Sequence, residues 1–167
     1  MQLTSPDIDD DEVKFFSDEQ TNILVTVTLV ESTLSFLGSL SIVSSYILFY
    51  RLRGRRKFSL ELVFWLSISD MGSCVSYFIG DPGPGAACTV QAMLMNYFEL
   101  ASILWTTVVA LTLFRLIILQ TTSSHLLGHF IVYCNAIPLA VTMLPLINGS
   151  YGPTGSWCWV TSPGMMR

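Results

Sequence analysis

Residues 88–120, CTVQAMLMNYFELASILWTTVVALTLFRLIILQ, form an apolar run of 33 residues in which Glu99 and Arg115 are the only charged side chains. About 20 apolar residues of helix cross a bilayer, so this run predicts a spanning helix that projects beyond the hydrocarbon at both ends. Backbone groups in lipid must be hydrogen-bonded within the span, and the alternating pattern of a membrane barrel strand is absent. The run is therefore predicted to be a helix.

Three further apolar runs lie on either side of it, and the four together predict an all-α membrane protein with four transmembrane helices. The predicted spans are residues 23–50, 60–79, 88–120 and 126–147. The remaining segments are an acidic N-terminus at 1–22, connections at 51–59, 80–87 and 121–125, and a tail at 148–167.

The composition excludes several classes of protein. The chain has 167 residues, of which 51% are hydrophobic and 12% charged. Typical soluble domains have about 25% charged residues, so these values argue against a soluble globular protein. The mean hydropathy is +0.58. A formal net charge of −4 leaves no basic surface for a nucleic acid, and four cysteines are too few for a disulfide-dense secreted domain.

The charges predict an orientation. Five of the eight basic residues lie in one connection: Arg51, Arg53, Arg55, Arg56 and Lys57. Short basic loops stay in the cytoplasm, so the acidic N-terminus is expected outside. The same topology places the sequon Asn148-Gly149-Ser150 outside, where glycosylation of Asn148 is possible.

Four ionisable residues fall at membrane depth: Glu31, Asp70, Glu99 and Arg115. Such groups are costly in lipid, so we expect them to face the bundle interior, either as hydrogen-bonding contacts between helices or as functional groups. Glu99 lies about three turns from Cys88, at the depth of an outward-facing cavity. Glu99, Glu31 and Trp105 are therefore candidates for a ligand pocket. Arg115 alternatively extends to the lipid headgroups.

Motifs for catalysis are absent. His125 and His129 have i, i+4 spacing, but no acidic residue or cysteine lies near them in sequence, so we expect no metal site. The chain has no phosphate-binding glycine loop and no nucleophile elbow. We expect neither enzymatic activity nor a cofactor.

The tail contains turn residues at 151–155, followed by Trp157 and Trp159 on either side of Cys158. The two indoles indicate either an aromatic anchor at the membrane interface or a lid held to the third helix through Cys88. Both cysteines fall on the predicted outer side, where a disulfide persists.

The order of these features resembles the first half of a seven-helix G-protein-coupled receptor, in particular the slime-mould cyclic-AMP receptors and their plant relatives. The resemblance covers residues 38–160. It rests on KFSLELVF at 57–64, LSISD at 66–70, LASILWTT at 100–107 and GSWCW at 155–159. Helices five to seven of such receptors have no counterpart here.

The resemblance implies roles for individual residues. Cys88 and Cys158 match the family's disulfide between the third helix and the second outer loop. Asp70 matches an acidic position in a polar network, and Arg115 resembles the basic residue that contacts the G protein. Further candidates for G-protein contact are Arg55, Arg56 and Lys57. The implied setting is the plasma membrane, with a heterotrimeric G protein and an extracellular ligand as partners.

Two other functions stay open from the residues alone. The chain could be a four-span scaffold, or part of a transporter in which Asp70 and Glu99 relay protons or ions. As half a receptor, it is also expected to self-associate, to be captured by a full-length receptor, or to be retained in the endoplasmic reticulum. Glu99 and Glu31 do not suit an anion such as cyclic AMP, so the resemblance predicts the family and not its ligand.

Overall fold

A computed structural model describes residues 18–53, 58–121 and 124–161. Its elements are α1 (Asp18–Arg53), α2 (Phe58–Phe78), α3 (Ala86–Ile117), a single 3₁₀ turn (Ser124–Leu126), α4 (Leu127–Ile147), β1 (Tyr151–Pro153) and β2 (Cys158–Val160). Each of the four α-helices is long and apolar enough to cross a membrane. The predicted all-α membrane class is confirmed.

The helices pack in chain order. α2 lies between α1 and α3, and α3 also contacts α4 and both strands. Phe36 meets Phe78 and Tyr46 meets Phe64, with ring centroids 5.8 and 4.6 Å apart, so α1 and α2 run antiparallel. The bundle thus has a disulfide end, where α2 ends and α3 begins, and an opposite end, where α3 ends at Ile117.

The core lies between α2, α3 and α4. Its buried residues are Leu62, Trp105, Val108 and Cys134. The rings of Trp65 and Trp105 stack with centroids 6.1 Å apart and planes 6° apart. Large apolar side chains elsewhere point outward, with Ile117 69% exposed, as expected for surfaces that face lipid.

Gly72 sets the distance between α2 and α3. A Cβ atom at this position would lie 2.5 Å from the ring of Phe98, far closer than van der Waals contact. Small residues allow membrane helices to approach closely, where packing and hydrogen bonds stabilise them. The absence of a side chain at Gly72 therefore allows the polar residues of α2 and α3 to reach one another.

Residues 151–153 form a strand, so the prediction of turns there was wrong. Tyr151 pairs with Val160 and Pro153 with Cys158 in an antiparallel hairpin. Backbone pairing of the two short segments satisfies polar groups that an open turn would leave to water. The turn itself lies at 154–157, where the Thr154 N–H donates to the Trp157 carbonyl oxygen at 2.9 Å.

Candidate functional site

A cavity of about 320 Å³ lies between α1 and α2. Its lining residues are Thr28, Glu31, Ser32, Ser35, Asp70, Ser73, Cys74, Tyr77 and Trp157. Eight of these nine carry a hydroxyl, phenol, carboxyl or thiol group. Trp157 belongs to the hairpin turn and covers the cavity at the disulfide end.

The helical period explains why these residues converge. The α1 residues have the spacing i, i+3, i+4 and i+7, from Thr28 to Ser35, and the α2 residues repeat it from Asp70 to Tyr77. Positions with this spacing share one face of a helix. Each helix therefore presents a polar stripe about 10 Å long, and the two stripes form opposite walls.

Asp70 links the cavity to α3. Its Oδ1 atom accepts a hydrogen bond from the Ser102 hydroxyl at 2.5 Å. Hydrogen bonds to a charged group are stronger than neutral ones, so this contact holds the carboxylate where α2 crosses α3. A change in the charge or position of Asp70 would be felt directly by α3.

Tyr77 links the cavity to Glu99. The Tyr77 hydroxyl donates to Glu99 Oε1 at 2.5 Å. Its ring meets the Trp157 indole edge-on, with centroids 6.0 Å apart. Glu99 therefore lies behind the cavity wall rather than on it, and it fixes the orientation of the tyrosine that does line the cavity.

Gln91 fixes the hairpin to the helices. Its side chain is fully buried, and its amide nitrogen donates to the carbonyl oxygens of Ser76 and Gly80 at 3.2 and 2.6 Å. Its amide oxygen accepts the backbone N–H of Cys158 at 3.2 Å. One glutamine thus connects α2, α3 and β2.

A disulfide and a tyrosine complete this attachment. Cys88 and Cys158 are bonded, with their Cα atoms 5.3 Å apart. The Tyr151 hydroxyl donates to the Thr142 carbonyl oxygen at 2.9 Å and accepts from the Asn96 amide at 3.2 Å. The hairpin is therefore fixed to α3 and α4, and it holds Trp157 over the cavity. We call these contacts the hairpin clamp.

Only some of the residues predicted for a site line the cavity. Glu31 and Asp70 both line the cavity. Trp105 does not, because its indole is 1% exposed and stacks on Trp65 in the core. Arg115 lies half-buried in the last turn of α3 at the opposite end. Asn148 is exposed and caps the C-terminus of α4.

The remaining candidates for G-protein contact, Arg55, Arg56 and Lys57, lie outside the described residues. Among the residues that the structure describes, no group of three or more His, Cys, Asp or Glu side chains is placed to hold a metal ion.

Sequence reasoning missed Gln91, Ser32, Ser73 and Tyr77. The polar i, i+3, i+4, i+7 spacing in two apolar helices was a usable signal for Ser32, Ser73 and Tyr77. Gln91 shows no such pattern, since its role depends on where α2 ends and on how the hairpin folds back.

Comparison with known proteins identifies the family to which the chain belongs. A family model described as the slime mold cyclic AMP receptor matches residues 16–164. G-protein coupled receptor 1 of Arabidopsis thaliana is 37% identical over 139 residues, which are 83% of this chain and 42% of that protein. Cyclic AMP receptor-like protein A of Dictyostelium discoideum is 32% identical over 149 residues, 89% of this chain and 40% of that protein.

G-protein coupled receptor 157 of Mus musculus is 31% identical over 146 residues, 80% of this chain and 43% of that protein. The chain thus spans about two fifths of the length of these relatives. The family match extends over all four helices and the hairpin. The chain is a multi-pass membrane protein and belongs to the slime mold cyclic AMP receptor family.

Proposed function

We propose that this chain supplies the first four helices of a seven-helix receptor, which passes an extracellular signal to a heterotrimeric G protein at the plasma membrane. The observation that carries the proposal is the polar cavity whose residue Asp70 is hydrogen-bonded to Ser102 of α3. Relatives named as receptors support this function over a scaffold or a transporter.

The proposed signal path follows α3. A ligand in the cavity would alter the Asp70–Ser102 contact and so change the relative stability of two arrangements of α2 and α3. Arg115 lies 13 residues beyond Ser102, about 20 Å along the helix. Together with the basic residues of the first connection, Arg115 would contact the G protein.

The proposed orientation places the disulfide end outside the cell. Asn148 is exposed next to the hairpin clamp, so it is accessible for glycosylation at that end. Expression in cells should give a glycosidase-sensitive mass shift that both Asn148→Gln and Ser150→Ala abolish. An epitope inserted at Gly54 should stay unlabelled on intact cells, and labelling there would reverse the orientation.

The function is tested with a chimera. Residues 16–161 replace the matching segment of G-protein coupled receptor 1, and nucleotide exchange on heterotrimeric G proteins is measured in nanodiscs. Asp70→Asn should keep surface expression and lower exchange at least about fivefold, the lower range of typical coupling energies.

Asp81→Asn is the matched control. Asp81 is exposed in the connection between α2 and α3, where its Oδ1 accepts the Gly83 N–H at 2.9 Å, a bond that asparagine can also accept. Exchange should be unchanged in this variant. The 167-residue chain alone should give no exchange. Equal exchange in Asp70→Asn and the parent chimera, or exchange by the chain alone as a monomer, would contradict the proposal.

A further inference from the structure

The cavity between α1 and α2 has a negative lining. Glu31 and Asp70 lie on opposite walls, and none of the nine lining residues is a lysine, arginine or histidine. The effective dielectric constant inside a membrane protein is low, so like charges within such a cavity repel strongly. Among these nine residues, a phosphate group would meet two acidic side chains and no basic one.

A hydroxyl that lines the same cavity has no protein partner among the described residues. Ser32 is 6% exposed and lines the cavity. Within the part of the chain that the structure describes, its hydroxyl has no hydrogen-bond partner. Ser41, Ser69 and Ser76 instead donate to a carbonyl oxygen four residues back in their helices. A hydroxyl that is open to the cavity can donate a hydrogen bond to a ligand or accept one from it.

The cover of the cavity is aromatic. Trp157 and Tyr77 meet edge-on at the disulfide end, with 6.0 Å between ring centroids. The faces of tryptophan and tyrosine rings attract cations. The volume of about 320 Å³ lies in the range of small-molecule sites. It exceeds what a bare metal ion fills, and the described residues offer no cluster of metal ligands.

We propose that this cavity binds a small organic cation, with an ammonium group held between Glu31, Ser32 and Asp70 and an apolar body beneath Trp157. The inference rests on the proposed function, because it names the ligand class of the proposed receptor site. The proposed ligand is positively charged, whereas the cyclic nucleotide in the name of the family carries a negative charge.

Binding is tested by calorimetry on the chain in phosphatidylcholine nanodiscs, whose zwitterionic lipid does not concentrate cations. The probes are 2-phenylethylammonium, its neutral analogue 2-phenylethanol, cyclic AMP and sodium chloride. The ammonium should bind at least about tenfold more tightly than the alcohol, as expected for a charge-assisted hydrogen bond. Cyclic AMP should not compete, and sodium should displace the ammonium only at ionic strengths that screen charge generally.

Variants assign the contacts. Glu31→Gln should weaken ammonium binding about tenfold or more, whereas Glu19→Gln, on the same helix but outside the lining, should not. Trp157→Ala should weaken it several-fold, whereas Trp159→Ala, also in the hairpin and outside the lining, should not. Non-reducing peptide mapping of the Cys88–Cys158 bond checks that each variant is folded.

Three results would overturn the inference: no ammonium binding, equal binding of ammonium and alcohol, or competition by cyclic AMP that Trp157→Ala removes. If the chimera responds in the exchange assay while the ammonium does not bind, the receptor function stands and the ligand class is wrong. If the ammonium binds while Asp70→Asn leaves exchange unchanged, the cation site stands and the signalling function is wrong.

Discussion

The hairpin clamp and the contact between α1 and α2 use buried polar residues in opposite ways. In the clamp, Gln91 is fully buried and makes three hydrogen bonds to protein groups. Between α1 and α2, Ser32 is buried almost as deeply, and it makes none within the described residues. A buried amide with all its partners present rigidifies its surroundings, whereas a hydroxyl that lines a cavity without a partner is open to a ligand. The hairpin clamp therefore fixes Trp157 over the cavity, and the contact between α1 and α2 forms the cavity itself.

The largest effect is expected in the clamp, from removing its covalent bond. The bond between Cys88 and Cys158 closes a loop with a sequence separation of 70 residues, worth roughly 4 kcal/mol for a soluble chain. Membrane helices already restrict the unfolded chain, so the double change to serine should lower the free energy of unfolding by about 2–4 kcal/mol. Unfolding with SDS in mixed micelles measures this loss.

The control is the double change of Cys74 and Cys134 to alanine. Both are buried free thiols, so any effect from removing a sulfur atom alone appears there as well. A loss of stability in this control as large as that in the disulfide variant would show that the hairpin is held by other contacts.

The second effect concerns Gln91. Gln91→Leu keeps a similar volume and leaves the Cys158 N–H and two carbonyl oxygens without their partner, so it should cost about 2–3 kcal/mol. Gln91→Glu keeps an acceptor for the Cys158 N–H but loses both donated bonds. Its stability therefore shows how much of the loss comes from the donated bonds alone. Val90→Ala, at a side chain that is 52% exposed, serves as the control. Equal stability of Gln91→Leu and Val90→Ala would contradict the role of the clamp.

The third effect tests the helix contact that both regions share. Gly72→Ala forces the Phe98 ring to move and should cost about 1–3 kcal/mol through overpacking. Gly38→Ala is the matched change, because a Cβ there meets nothing within 4 Å. It should be neutral or stabilise the helix by up to about 1 kcal/mol. Thermal unfolding in nanodiscs compares the two, and equal shifts would mean that α2 and α3 adjust freely.

The four helices were predictable because the bilayer itself dictates span length and backbone hydrogen bonding. The involvement of Glu31 and Asp70 in one polar region follows from the same physics, since lipid does not tolerate their charges. Neither inference depends on knowing how the helices pack.

The partners of these residues could not be predicted, because they depend on packing. Glu99 was expected in a pocket, but Tyr77 lies between it and the cavity. Trp105 was expected there too, yet it packs with Leu62 and Cys134 in the core and stacks on Trp65. Hydropathy reports the depth of a residue along a helix, while the face that it presents and the neighbour that it meets are set by long-range contacts.

The smallest effect compares one serine from each region. Ser76 is fully buried below the clamp and donates to the Gly72 carbonyl oxygen at 2.9 Å, so Ser76→Ala should lose about 0.5–1.5 kcal/mol of stability. Ser32→Ala removes an equally small hydroxyl that has no partner in the described chain. Without ligand it should therefore leave stability within about 0.5 kcal/mol, or raise it slightly.

Adding the ammonium probe should reverse which of the two serine variants shows the larger effect. Ser32→Ala should reduce the stabilisation that saturating 2-phenylethylammonium gives to the parent chain, because binding to the folded state raises stability in proportion to the logarithm of affinity. Ser76 does not line the cavity, so Ser76→Ala should keep that increment in full. SDS unfolding with and without the probe measures both. A stability loss in Ser32→Ala that matches Ser76→Ala and does not respond to the probe would make Ser32 a packing residue and remove the difference between the two regions.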